Sequence, residues 1–282
     1  MKVALGVGTN AYDGYPLEVM LEQISKVGAE FVEIAAIKGY FEHVRPEKMS
    51  GEEKEKIKAL LKKNNLSCES FSSHVDLTEE GILPVFKKRM EFAKEIGAKI
   101  VNTNSGPLGK EKKLYEVIKE VDEYAKSLEL IVALETHGDI ISGGEDIKII
   151  KKIDSPNIKM NYDFGNVFYF SGGKIRPEKD FEKALEYPEC ICHLHIKDIK
   201  LENNEWKIVP IGEGVVDYER VFYLLEKNRV SFPASIELPL RLGGKKEEGL
   251  KKINPVLPLD EINNIIKRSL DYVRKVGKDI YM

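Results

Sequence analysis

The stretch Ile131-Val-Ala-Leu-Glu135-Thr-His137-Gly-Asp139 decides how the rest of the chain is read. An apolar, β-branched run ends abruptly in a carboxylate, an imidazole and a second carboxylate. That is the pattern of a buried strand whose C-terminal tip carries polar chemistry. Side chains alternate faces along a strand, so Glu135 and His137 point the same way. Three further apolar runs stop as sharply, at Asp163, His195 and Glu237.

On either side of this stretch the same unit recurs. The pattern predicts strands at Val3–Val7, Phe31–Ile34, Leu66–Phe71 (running into Ser72-Ser73-His74), Ile100–Thr103, Ile131–Glu135, Ile158–Asp163, Ile191–Ile196 and Ala234–Leu238. Helical spacing follows each of them, over Pro16–Val27, Gly51–Leu61, Val85–Ile96, Leu114–Leu128, Glu145–Ile153, Glu178–Tyr187, Tyr218–Lys227 and Leu259–Val276. Strict alternation means parallel strands joined by helical crossovers. Eight such units predict one (β/α)8 TIM barrel over residues 1–282, a fold for which about 250 residues is typical. An open doubly wound sheet would want a Gly-x-Gly-x-x-Gly turn after the first strand, and none is there. Lys200–Ile211, with Asn203-Asn204 between polar and β-branched residues, reads as a hairpin inserted after the seventh strand.

Composition narrows the function classes. With 44 basic against 47 acidic residues, the net charge of −3 gives no general grip on nucleic acid or an anionic membrane. No run approaches the ~18 uninterrupted apolar residues of a membrane span, and no signal-peptide segment opens the chain. Cytoplasm is therefore the expected location. Three cysteines cannot build a disulfide framework, and alternation along strand seven turns Cys190 and Cys192 toward the helices as small buried apolar residues.

In a barrel of this kind the active site lies at the C-terminal strand ends, where these polar residues fall. Glu135, Asp163, His195 and Glu237 together offer three carboxylates and one imidazole. The set is oxygen-rich and suits Mn²⁺ or Mg²⁺, with Co²⁺ or Zn²⁺ as alternatives. Clustered carboxylates repel one another, and a divalent cation removes that penalty.

The strand ends Leu134-Glu135-Thr-His137, Tyr162-Asp163-Phe-Gly-Asn166, His193-Leu-His195-Ile-Lys197-Asp198 and Ile236-Glu237 resemble those of the sugar isomerase/epimerase superfamily of xylose isomerase-like barrels. Pro210-Ile-Gly212-Glu213-Gly214-Val-Val-Asp217-Tyr resembles the loop that follows strand seven there. The resemblance implies a divalent ion on Glu135, Asp163, His195 and Glu237. It also implies a bound sugar, sugar phosphate or keto-polyol whose proton beside the carbonyl is removed by one of Glu135 and Glu237 and returned by the other. Two features depart from the pattern. Asn166 stands where members often carry histidine, and an amide cannot shuttle a proton at neutral pH. Lys197 and Lys200 stand near where some keto-sugar epimerases have arginine.

These departures raise the standing of His137, on the same face as Glu135, either as a separate base or as a substrate contact. As a base it would turn the same site to elimination, an inosose-type dehydration or cleavage of a 3-keto glycoside. Glu33, His74, Asn104, Asn166, His193 and Lys197 are the expected substrate contacts, and the amides of Asn10 and Asn102 suit hydroxyls as well. His43 is expected in solvent or on a lid. Ser142-Gly-Gly144 and Ser171-Gly-Gly-Lys174 read as plain turns, and the Arg241–Lys246 loop as the better-placed of the candidate anion loops. A DNA-repair enzyme of the endonuclease IV type shares the barrel, but its trinuclear zinc cluster needs more histidines than the five present. Barrels of this family commonly pair, so a homo-oligomer is expected, with no nucleic-acid or membrane partner.

Overall fold

The computed structural model describes residues 3–140 and 143–281. Its eight parallel strands are β1 (Leu5–Gly8), β2 (Phe31–Ile37), β3 (Ser70–Asp76), β4 (Ile100–Asn104), β5 (Ile131–Glu135), β6 (Ile158–Asp163), β7 (Ile191–Ile196) and β8 (Ala234–Ile236). Each pairs with the next in sequence. β1 bonds to both β2 and β8, with Val7 opposite Val32 on one side and Ile236 on the other, so the sheet closes on itself. Helices run between the strands, and the fold is the expected (β/α)8 TIM barrel.

The outer layer is held by one apolar stripe per helix. In Leu259–Val276 the buried residues Ile262, Ile266, Leu270 and Val273 recur at helical spacing and face the barrel. Ile266 is wholly buried, and its truncation to alanine would cost about 2–5 kcal/mol. Helix Gly51–Lys63 buries far less, only Ile57 and Leu61, and its start is fixed by a capping box between Ser50 and Glu53. Among the described residues no helix is long and apolar enough to cross a membrane.

Several boundaries differ from the sequence pattern for identifiable reasons. β2 continues to Ile37 and turns back through a two-residue strand at Phe41–Glu42. β3 spans Ser70–Asp76 instead of ending near Phe71, because the barrel interior is polar at this level: Ser70 bonds Glu33, and Ser72 lies 3.5 Å from His74 Nδ1. A helix at Phe164–Phe170 has no polar stripe to announce it. It starts because Asp163 Oδ1 accepts the Asn166 N–H at 2.9 Å. The expected helix Glu178–Tyr187 spans Pro177–Ala184 and is followed by a single 3₁₀ turn at Pro188–Cys190.

The hairpin after β7 is present, with Asp198–Glu202 antiparallel to Glu205–Val209 and both turn residues, Asn203 and Asn204, left-handed. Strands Leu242–Lys245 and Lys251–Lys252, in the loop after β8, extend it to a four-stranded sheet in which Trp206 faces Gly244. This sheet stands beside the C-terminal mouth of the barrel. Asp198 anchors the loop beneath it by accepting N–H bonds from Gly212, Gly214 and Val216. A Cβ at Gly214 would lie 2.0 Å from Asp198 Oδ1, so only glycine fits there.

Candidate active site

The four strand ends picked out by sequence converge. Glu135, Asp163, His195 and Glu237 are all buried, and one ligand atom from each lies within 4.8 Å of the others. His195 Nδ1 is 2.9 Å from Glu135 Oε1 and 3.7 Å from both Asp163 Oδ2 and Glu237 Oε2. Asp163 ends β6 and caps the next helix with Oδ1, which leaves Oδ2 facing the cluster. Glu237 lies just past β8 and takes the Asn10 amide at 2.9 Å.

A ring of polar groups holds these ligands in place. Lys197 Nζ lies 2.7 Å from Asp163 Oδ2 and 3.0 Å from Asn166 Oδ1, and it also pairs with Glu237. A Cβ on Gly165 would sit 2.5 Å from Lys197 Cγ, so this glycine lets the lysine stem pass. Asn166 Nδ2 donates to Glu135 Oε1 at 3.2 Å, and His74 Nε2 lies 2.6 Å from Glu135 Oε2.

Electrostatics follow from this crowding. Burial works against the Glu135 carboxylate, but His74 and His195 outweigh it and hold the group well below the usual range. Glu237 is pushed up by burial and by Asp163 and Glu135, against the pull of Lys197 and His195. Burial also disfavours charge on His195, yet Glu33, Glu237 and Glu135 together raise it well above the usual imidazole range. A buried donor set in which carboxylates still repel one another is chemically matched to a divalent cation.

Above the cluster opens a cavity of about 590 Å³. Its lining includes Glu135, His137, His74, Asn104, Asn166, Lys197 and Glu237. The His137 ring packs 4.7 Å from Phe170 and stacks at 6.2 Å with His74. The packing around the ring lowers its pKa to about 4, which leaves the imidazole neutral at pH 7.

Two expected substrate contacts lie elsewhere. Glu33 and His193 sit one layer deeper in the barrel, away from the cavity wall. β2 runs on to Ile37, so Glu33 is not a strand end, and His193 precedes His195 by one inward-facing step. Glu33 instead accepts from Ser235 at 2.7 Å and Asn102 at 3.2 Å, and lies 2.8 Å from His195 Nε2. His193 meets Asn161 and Ser235.

Of the other expectations, those for His43 and the Arg241–Lys246 loop change and that for Ser171–Lys174 does not. His43 is fixed under the rim, with Nδ1 at 2.8 Å from Thr9 Oγ1 and Nε2 at 3.2 Å from Asp13 Oδ1. The Arg241–Lys246 segment is no anion loop, because its glycines are spent in a β-ladder and Arg241 binds Asp13 at 2.8 Å. Ser171-Gly-Gly-Lys174 is the turn that closes helix Phe164–Phe170. Of Ser142-Gly-Gly144, Ser142 lies outside the described residues, and the Gly143 N–H is taken by Asp180.

The aromatic wall of Tyr40, Phe41, Tyr169 and Phe170 was not anticipated. The sequence signal for half of it was the aromatic run after Asp163, one turn past a ligand.

Known proteins share this fold. L-ribulose-5-phosphate 3-epimerase UlaE of Escherichia coli strain K12 is 24% identical over 168 residues, which is 55% of this chain and 55% of that one. The chain thus spans about half the length of the curated relatives it matches. D-psicose 3-epimerase with D-tagatose from Clostridium cellulolyticum H10 superimposes with a TM-score of 0.77 at 14% identity, covering 98% of this chain and 99% of that chain. A xylose isomerase-like TIM barrel protein from Mycobacterium smegmatis in complex with magnesium gives 0.74 at 15% identity, covering 99% and 97%. The description xylose isomerase-like TIM barrel matches residues 21–280, nearly the whole closed barrel, and the chain belongs to that family.

Proposed function

We propose that the protein is a divalent-metal-dependent isomerase or epimerase of a keto-sugar or keto-polyol. One observation carries the reading: Glu135 and Glu237 both line the cavity directly over the four-residue cluster. They come from β5 and from just past β8, three strands apart around the barrel, an origin that would let them face a bound sugar from different sides. The relatives named above, which include two sugar epimerases, support the same class.

An ion on Glu135, Asp163, His195 and Glu237, with Mn²⁺ first among Mn²⁺, Mg²⁺, Co²⁺ and Zn²⁺, would act as a Lewis acid on the carbonyl and hydroxyl oxygens. One glutamate removes the proton beside the carbonyl. The other returns it, to the opposite face for an epimer or to the neighbouring carbon for an isomer. Such transfers are typically worth about 10²–10⁴-fold. His74, Asn104 and Asn166 present polar groups to sugar hydroxyls, while Lys197 stays committed to Asp163 and Glu237 and balances their charge.

A lyase is the second reading, favoured by one feature. His137 is neutral, lines the cavity and lies two residues past Glu135, where it could take the proton while a leaving group departs.

The deciding experiment follows α-proton exchange of ketoses in D₂O by ¹H NMR with Mn²⁺ present. Glu135→Gln should keep the fold and lose exchange by about 10²-fold or more. Exchange that survives unchanged would overturn the proton-transfer reading, and appearance of an eliminated product would select the lyase.

A further inference from the structure

The cavity has two unlike halves. Its floor is the cluster of carboxylates, imidazoles and amides, whereas its outer half is walled by Tyr40, Phe41, Tyr169 and Phe170 with Leu242 and Leu250. The aromatic rings are held rather than loose. Tyr169 Oη accepts the Leu250 N–H at 2.7 Å, and Phe170 packs edge-on to His137. Phe41 is buried under Lys252, whose Nζ lies 4.4 Å from the ring centre. Tyr40 is 51% exposed at the rim.

Charge tells the other half of the story. The cations among the described lining residues are Lys38 and Lys197, against the carboxylates Asp76, Glu79, Glu135 and Glu237. Both lysines are engaged, Lys38 to Glu79 at 2.7 Å and Lys197 to Asp163 and Glu237. A phosphate dianion wants an arginine or lysine fork, or free N–H groups at a helix start. At the outer half it would meet Asp76, Glu79 and aromatic faces, with Lys38 already paired to Glu79 and Lys252 to Asp13. The cavity, at about 590 Å³, is also larger than one sugar ring fills.

We infer that the site takes an uncharged glycoside, a keto-sugar ring on the floor linked to a second ring stacked between Tyr40, Tyr169 and Phe170, rather than a sugar phosphate. This rests on the sugar-isomerase reading for the floor alone. A flat aryl group or the C–H face of a second sugar both suit the electron-rich faces of these rings. The unlike halves thus divide the work, with chemistry below and recognition of the linked ring above.

The test is calorimetric binding to the Mn²⁺-loaded protein of p-nitrophenyl 3-keto-β-D-glucoside, lactulose (a second hexose linked to fructose), D-fructose and D-fructose 6-phosphate. At least one glycoside should bind about tenfold more tightly than D-fructose, the range a stacked aromatic contact provides, and the phosphate no more tightly than D-fructose. The two glycosides compared with each other show which second ring the wall prefers. Tyr40→Ala, exposed enough to leave folding intact, should narrow the glycoside-to-fructose ratio. Tighter binding of the phosphate, or glycosides no better than D-fructose, or a ratio untouched by Tyr40→Ala, would each overturn the inference. Proton exchange is read separately, on the keto-glycosides as well as on D-fructose: exchange without glycoside preference sinks the inference and keeps the isomerase, and glycoside preference with no exchange on any of these ketoses sinks the isomerase and keeps the inference.

Discussion

His195 turns Nε2 toward Glu33 Oε1 at 2.8 Å, deep in the barrel and on the far side of the ring from the carboxylate cluster. A buried carboxylate behind a ligating imidazole fixes its tautomer and ring orientation and raises its basicity. The Glu33 carboxylate is itself kept low, because His195 and His193, with a hydrogen bond from Ser70, outweigh its burial. Glu33→Gln should weaken Mn²⁺ binding by about 10–100-fold with a native circular dichroism spectrum. Calorimetric titration of the variant checks it, and unchanged affinity would show that Glu33 does not orient the ligand.

Metal binding should show in stability. Any ion that binds the folded chain alone stabilises it, by about 2.7 kcal/mol at a hundredfold excess over Kd. Chelator-treated protein should therefore melt at a higher temperature when Mn²⁺ is added. Asp163→Asn should abolish most of that rise. Since Asp163 also caps helix Phe164–Phe170 through Oδ1, which an amide oxygen can replace, the apo variant should stay folded. A full thermal response in Asp163→Asn would remove this residue from the ligand set.

Gly165→Ala tests the passage of the Lys197 stem. The new methyl group would lie 2.5 Å from Cγ and 2.6 Å from Cδ, so the lysine must leave its place between Asp163 and Glu237. Overpacking of this kind costs about 1–3 kcal/mol, and the two carboxylates lose their balancing cation. Urea denaturation measures the first effect and Mn²⁺ affinity the second, which should change as well. Stability within error of the parent would refute the tight passage.

Asp146 provides the pH dependence. It stands in the first turn of helix Gly143–Ile153, with both carboxyl oxygens buried and no hydrogen-bond partner among the described residues. Burial first, then Glu145, Asp180 and Glu135, hold its pKa well above the ordinary value. The folded chain therefore keeps this proton to higher pH than the unfolded chain does. Its contribution to stability is present below about pH 3.9, the unfolded value, and is lost as pH rises through the raised folded value. Asp146→Asn removes the titration. Its melting temperature relative to the parent should be higher at pH 8 than at pH 4.5, and a pH-independent difference would contradict the assignment.

The residues that were legible from sequence were those whose polarity interrupts an apolar strand at its tip. Glu135, Asp163, His195 and Glu237 stand out for that reason, and the structure brings them within 4.8 Å. Residues whose polarity is shared with a polar barrel interior were harder to place. Glu33 reads as a strand end because Ile34 closes an apolar run, yet the strand continues through Ala35, Ala36 and Ile37, and the carboxylate ends up under the site. Helix Phe164–Phe170 and the strands at Leu242–Lys245 and Lys251–Lys252 follow from tertiary partners, a capping carboxylate in one case and a neighbouring hairpin in the other. Neither partner is visible in the local pattern.

The ladder between Trp206 and Gly244 joins the loop after β7 to the loop after β8, so these two segments form one rim. Across the mouth, Lys252 reaches the Tyr40 carbonyl of the Lys38–Tyr40 turn at 2.5 Å and Asp13 at 3.1 Å. The mouth of the cavity is thus bounded by a rim that two loops share on one side and, across the Lys252 contacts, by the Lys38–Tyr40 turn on the other.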